Sequence, residues 1–153
     1  MAYITNIESD TLNNTFFRRV LNTEKYQQLV VMSLKPQEKI PMEVHKDSDQ
    51  FFRIEKGTIM ATVNGEVYHL GDGDIIMIPN GARHEIYNTS KTEPAKLYTI
   101  YSLPHHKPGT IEKEQKPEKD NSVNININNN GSQDYYAKYI KYKSKYNGLK
   151  NSF

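Results

Sequence analysis

The sequence contains no cysteine among its 153 residues. That excludes disulfide frameworks, thiolate metal sites and thiol catalysis, so any bound metal must be held by nitrogen and oxygen donors. A charge excess is also lacking. Lys and Arg number 20 against 18 Asp and Glu, and the formal net charge of +2 gives no electrostatic ground for binding nucleic acid. Long apolar runs are absent too, and none approaches the roughly 20 residues that cross a bilayer. Residues 1–10 show no basic stretch followed by an apolar core, so no secretory signal is read there. Together these absences predict a cytoplasmic protein with no membrane and no nucleic-acid partner.

What is present divides into two chemistries. From about Thr15 to Thr110 the chain reads as short strands separated by turns. Gln28 to Leu34 is a β-branched apolar run that ends before Pro36, and Gln50 to Glu55 alternates in part up to Gly57. Thr58 to Val63 and Glu66 to Leu70 flank Asn64-Gly65, a pair suited to a two-residue hairpin because both central positions need positive φ. A Gly71-Asp72-Gly73-Asp74 turn leads into the buried run Ile75 to Ile78, and His84 to Asn88 and Ala95 to Ser102 complete the series. Thr15 to Leu21 is an extra strand candidate, with a turn near Asn22. Many short strands without a helical period predict an all-β fold, and closing the sheet edges favours a jelly-roll barrel.

Beyond Thr110 the composition changes. Lys and Glu alternate around Pro117, and residues 121–130 are rich in asparagine with isolated Val and Ile, too little apolar surface to offset the entropy of ordering. Tyr135, Tyr139, Tyr142 and Tyr146 then recur at helical spacing among lysines. A frayed basic tail and a short helix that docks on the barrel or touches an anionic surface both fit. The expected organisation is an N-terminal strand and lead-in over residues 1–26, a barrel over 27–111 and a low-complexity tail over 112–153.

Two stretches carry chemistry. In the first, Glu43 and His45 are two apart, a spacing that puts both side chains on one face if the segment is a strand, and Gln50 follows at the start of the next strand. In the second, Pro79 and Gly81 build a tight turn, and the strand after it begins with His84, delivered toward the interior opposite the first pair. Glu85 and Tyr87 have the opposite parity and should point away. The expected metal ligands are Glu43, His45, Gln50 and His84. The competing reading is a metal-free barrel whose two histidines are satisfied by hydrogen bonds. His69 reads as a surface or edge residue, His105 and His106 as a solvated pair that could also lean over a barrel mouth, residues 35–39 as an exposed turn, and Arg53 and Glu55 as a solvent-side ion pair.

The two stretches resemble the two motifs of the cupin superfamily. Gly73, Pro79, Gly81, His84 and Asn88 fill every position of the second motif. The first motif is normally His-x-His, three or four residues, Glu, six residues, Gly; here it runs Glu43-x-His45, four residues, Gln50, six residues, Gly57. The leading Gly of that motif is replaced by Gln37. The phrases around residues 43–55 and 97–102 are similar to small single-domain microbial cupins described as mannose-6-phosphate isomerase-like. The resemblance implies a single jelly-roll cupin barrel with a disordered or weakly helical C-terminal tail. It also implies one divalent transition metal (Mn, Fe, Co, Ni or Zn), a small polar substrate or ligand, and a homodimer paired through N-terminal strands. The ligand charge is unchanged by the substitutions: three neutral His with one carboxylate become two neutral His, one carboxylate and one amide.

Two functions follow from this reading. One is a metal-dependent enzyme, an isomerase or epimerase on a sugar-like compound or a dioxygenase on a small carbonyl compound. The other is a non-catalytic module that binds a metal or small ligand. Besides the ligands, no residue stands out in the sequence as a proton-transfer group.

Overall fold

The computed structural model describes residues 1–117. The expected disorder of the asparagine-rich segment and the tyrosine-striped helix lie outside the described residues. The described residues form one short helix, α1 (Ile7–Asn13), and ten strands: β1 (Arg18–Thr23), β2 (Gln28–Leu34), β3 (Lys39–Glu43), β4 (Asp49–Lys56), β5 (Ile59–Val63), β6 (Glu66–Leu70), β7 (Ile75–Ile78), β8 (His84–Asn88), β9 (Ala95–Ser102) and β10 (Ile111–Glu112). Every strand pairing is antiparallel. The strands form a six-stranded sheet, β10-β1-β2-β9-β4-β7, and a four-stranded sheet, β3-β8-β5-β6. Their inner faces enclose Val30, Met32 and Leu34 of β2, Phe52 and Ile54 of β4, Leu97 of β9, and Ile40, Ile59, Ala61 and Ile86 of the smaller sheet. This is the expected jelly roll. Burying one face of each sheet is what the alternation in β8 and β9 encodes.

Local turn chemistry sets the register. Asn64 and Gly65 sit at φ 48° and 83°, the double positive-φ geometry of a tight hairpin, and they join β5 to β6 as expected. Gly57 has φ 101°, and a Cβ there would lie 3.0 Å from Ala95 Cα, so the crossing of β4's end over β9 requires glycine. Asn88 is fully buried, and its Nδ2 donates to the carbonyls of Leu34, Lys35 and Glu93, clasping the ends of three segments together.

Several elements differ from expectation. Helix α1 was hidden by its shortness. Asn6 caps it by accepting from Ser9 N–H at 2.9 Å, and the helix packs on β2, β4 and β9. Buried Lys96 donates to the Asn14 carbonyl at the helix end and to Ser33 Oγ, fastening it to the sheet. The turn after β1 falls at Lys25 and Tyr26 rather than near Asn22, closed by Glu24 N–H donating to Gln27 O. β1 pairs with β2 and β10 of its own chain. β3 begins at Lys39, so the supposed exposed turn over residues 35–39 runs into an edge strand, where Pro41 costs no ladder bond. β10 brings Ile111 and Glu112 onto the sheet, past the point where the sequence changes character. Arg53 and Glu55 do pair, at 2.8 Å, but Glu55 is buried rather than on the solvent side. Among the described residues no helix is long and apolar enough to cross a membrane.

Candidate metal centre

Glu43 is the last residue of β3, and His45 lies just beyond it in the loop to β4. The pair therefore does not share a strand face, as the spacing suggested, yet their tips still converge. Convergence is set by the loop. His45 O accepts from Gly81 N–H at 2.7 Å, Lys46 O accepts from Asn80 Nδ2, and Asp49 Oδ1 accepts from Asn80 N–H at 2.8 Å. These bonds stitch the loop carrying His45 to the Pro79–Ala82 turn that launches His84. On the ladder, Glu43 sits directly opposite His84 across β3 and β8.

The four expected ligands meet. Glu43 Oε1 lies 3.1 Å from His45 Nε2 and 3.6 Å from His84 Nε2, and Gln50 Oε1 lies 3.0 Å from His84 Nε2. The donor atoms of Glu43, His45 and His84 all fall within 4.8 Å of one another. Around one ion with bonds of roughly 2.1 Å, neighbouring donors sit about 3.0 Å apart in octahedral and about 3.4 Å in tetrahedral arrangements. The separations of 3.1 and 3.0 Å fall near the octahedral edge, and the 3.6 Å between Glu43 and His84 is slightly longer than either. His45, Gln50 and His84 are buried, whereas Glu43 keeps 27% of its side chain exposed and marks the opening.

Proton bookkeeping tests whether a cation fits. His84 Nδ1 lies 3.0 Å from the Ala82 carbonyl, a contact that requires the proton on Nδ1. The neutral ring then presents a bare lone pair at Nε2. Facing it are Gln50 Oε1, whose amide nitrogen donates to Thr99 Oγ1 at 3.0 Å, and the Glu43 carboxylate. Lone pairs that face one another call for a metal ion or a second imidazole proton between them, or for the Gln50 amide to turn its nitrogen toward His84, which the Thr99 hydroxyl, a donor as well as an acceptor, equally allows. Burial pushes the Glu43 carboxyl up, but hydrogen bonds from His45 and His84, and the charge those rings carry when protonated, outweigh it and bring it down to about 2. Glu43 is thus an anion at neutral pH. One feature departs from a fully dressed ligand: His45 Nδ1 is buried with no hydrogen-bond partner among the described residues, whereas ligating imidazoles usually donate that proton to an acceptor.

Sequence reasoning undervalued the residues around this cluster. His105 is solvent-exposed, yet its ring centroid stands 4.2 Å from that of His45 and its ring stacks on Tyr101. His106 Nε2 lies 3.2 Å from the Tyr101 hydroxyl. Burial and then the Arg18 charge pull His106 down to about 4, so it is neutral and accepts from the phenol. Burial raises Tyr101 above the usual phenol range, which keeps its proton in place. Fully buried Gln28 holds the loop: its Oε1 accepts from the N–H groups of His105 and His106, and its Nε2 donates to His106 O and Thr23 Oγ1. The adjacent Pro104-His105-His106 was the one visible signal. Gln28, at the start of a strand, gave none. His69 is exposed on edge strand β6, as expected, and Glu85 and Tyr87 point away from the cluster.

Comparison with known proteins bears on the family and the fold. Residues 30–101 match the family model described as Cupin domain. An uncharacterized protein of Acanthamoeba polyphaga mimivirus is 45% identical, over 99% of this chain and 92% of its own length. The uncharacterized protein YrkC of Bacillus subtilis is 38% identical over 71% of this chain and 61% of its own. The crystal structure of BH2720 from Bacillus halodurans superposes with a TM-score of 0.72 at 34% identity, covering 74% of this chain and 90% of that one.

Proposed function

The chain belongs to the cupin superfamily, and from that premise we propose that its barrel binds one divalent transition metal through Glu43, His45, Gln50 and His84 and turns over a small sugar-like or carbonyl compound. The observation that carries the reading is the convergence of His45 Nε2, Glu43 Oε1, His84 Nε2 and Gln50 Oε1, with successive separations of 3.1, 3.6 and 3.0 Å. With two imidazoles, a carboxylate and an amide, the donor set suits Mn, Fe, Co, Ni or Zn. A metal held there supplies Lewis-acid polarisation of hydroxyl, carbonyl or carboxylate oxygens.

The chain's own residues supply the rest. Glu43, ionised well below neutral pH, contributes the one negative charge of the set. Ala82 O fixes the His84 tautomer, and Thr99 Oγ1 bonds the outer end of the Gln50 amide. Tyr101 packs edge-on against His45, and His106 bonds to its hydroxyl, so a phenol and a neutral imidazole stand next to the cluster as groups that hydrogen-bond and orient a polar substrate. The reading is an enzyme of the mannose-6-phosphate isomerase-like kind, or a dioxygenase, rather than a passive binding module. A homodimer and a cytoplasmic location belong to the same reading. Ile75 and Met77 on edge strand β7 are exposed, where the sequence had suggested a wholly buried run.

The test is a turnover screen on protein purified without added metal or chelator. Elemental analysis comes first, then oxygen uptake and sugar-phosphate interconversion, with His45→Ala as control. Activity that vanishes in His45→Ala supports the enzyme; bound metal without any turnover supports the module.

A further inference from the structure

We propose that Arg18 anchors an anionic group, a carboxylate or a phosphate, on the small molecule that this barrel binds. The inference rests on reading the barrel interior as the ligand site, and it names the class of ligand.

Arg18 sits on the inward face of β1. It pairs directly with fully buried Met32, and Val20, two residues on, belongs to the core. Its side chain is only 12% exposed, so its charge is largely withdrawn from water. Such a charge needs compensation on several of its five donors. Glu112 supplies one, accepting from Nη1 at 2.7 Å, and the Phe17 ring lies 5.2 Å from the guanidinium carbon. Nε is buried with no hydrogen-bond partner among the described residues. A buried guanidinium with an unused edge is poised for an acceptor that arrives from outside.

The surroundings say where that acceptor comes from. The Arg18 charge acts on Tyr101, His105 and His106, and so does the charge of Glu43. Arg18, inward on β1, is thus near enough to Tyr101, His105 and His106 for its charge to be felt there. Glu112 does not neutralise it alone, because Lys116 Nζ claims the other carboxylate oxygen at 3.3 Å. Two cations thus share one carboxylate on this side, while Glu43 is the one carboxylate among the proposed metal ligands. A divalent ion there would leave the barrel interior positive. An anionic ligand chelating the metal at one end and reaching Arg18 at the other balances it.

The test is titration of inorganic phosphate and of malonate into the full chain, metal-free and Zn(II)-loaded, followed by calorimetry and by the Arg18 Nε–H resonance. Saturable binding that shifts this resonance is expected. Arg18→Met should weaken it by about tenfold or more while Zn(II) affinity holds. Glu112→Gln, which frees the guanidinium, should tighten anion binding. Phosphate alone binding points to a phosphorylated ligand, malonate alone to a carboxylate. Failure of both anions to bind the wild type, or equal affinity in Arg18→Met, overturns the proposal. If Arg18→Met does not fold, unchanged affinity in Glu112→Gln overturns it. An anion response in a protein that takes up no metal would leave Arg18's role standing and remove the metal reading.

Discussion

Gln50 Oε1 stands 3.0 Å from Nε2 of His84, with the other imidazole nitrogen committed to the Ala82 carbonyl. The amide thus occupies the place where the usual cupin motif carries a glutamate. Gln50→Glu would add a second buried carboxylate beside Glu43. The metal-free variant should be less stable than the parent, because like charges in a desolvated site repel. It should bind a divalent metal about tenfold tighter or more, since the ligand charge doubles. Thermal melts with and without Zn(II), paired with a competition titration, check both signs together.

Gln37 occupies φ 60°, a left-handed conformation that its side chain disfavours, at the position where the family motif carries glycine. Its N–H donates to Ser90 O at 3.0 Å, so the turn is held despite that cost. Gln37→Gly should stabilise the protein by about 0.5–1 kcal/mol after the larger unfolded-state entropy of glycine is deducted. Urea denaturation reads this directly. No change or a loss would mean that the exposed side chain makes a contribution the backbone angle does not reveal.

Gln28 spends its amide on the His105-His106 loop and on Thr23. Gln28→Leu fills similar space but strands the backbone groups that the amide satisfied. A destabilisation of about 2–4 kcal/mol is expected. Amide hydrogen exchange at residues 105 and 106 should speed up well beyond that of β9, which separates local release of the loop from global loss of stability.

His106 ties stability to pH. Its folded-state value is lowered from 6.5 to about 4, so the native state resists taking the proton that the unfolded chain accepts. A depressed value contributes stability that is present above the unfolded value and lost as pH falls through the folded one. Stability should therefore decline between pH 6.5 and about 4, and His106→Gln should flatten that part of the profile. A parallel decline in the variant would assign the effect to other groups.

Much of this was legible before any coordinates. The alternation of β8 and the apolar run of β2 gave strands because period-two patterning survives wherever one sheet face is buried. Asn64-Gly65 gave its hairpin because few residues tolerate two successive positive φ angles. Pro79, Gly81 and His84 were readable because one turn fixes where the next side chain points. Other features were not. Helix α1 is too short to show a period, and β3 is broken by Pro41 and a shift in register. The inward direction of Arg18, and the burial of Gln28 and Tyr101, depend on which strands pair across the sheet. That long-range choice leaves no mark in the local sequence. His105 carried its signal only as a neighbour of another histidine, and its contact with His45 is made by folding alone.

The account stands or falls on whether the Glu43, His45, Gln50 and His84 tips hold an ion. Metal-stripped protein should be titrated with Mn(II), Co(II) and Zn(II), beside His84→Ala and Gln50→Leu variants of confirmed fold. One equivalent bound by the wild type, abolished in His84→Ala and weakened in Gln50→Leu, is the predicted result. A wild type that binds no stoichiometric metal, or a His84→Ala variant that binds it equally well, would contradict the assignment.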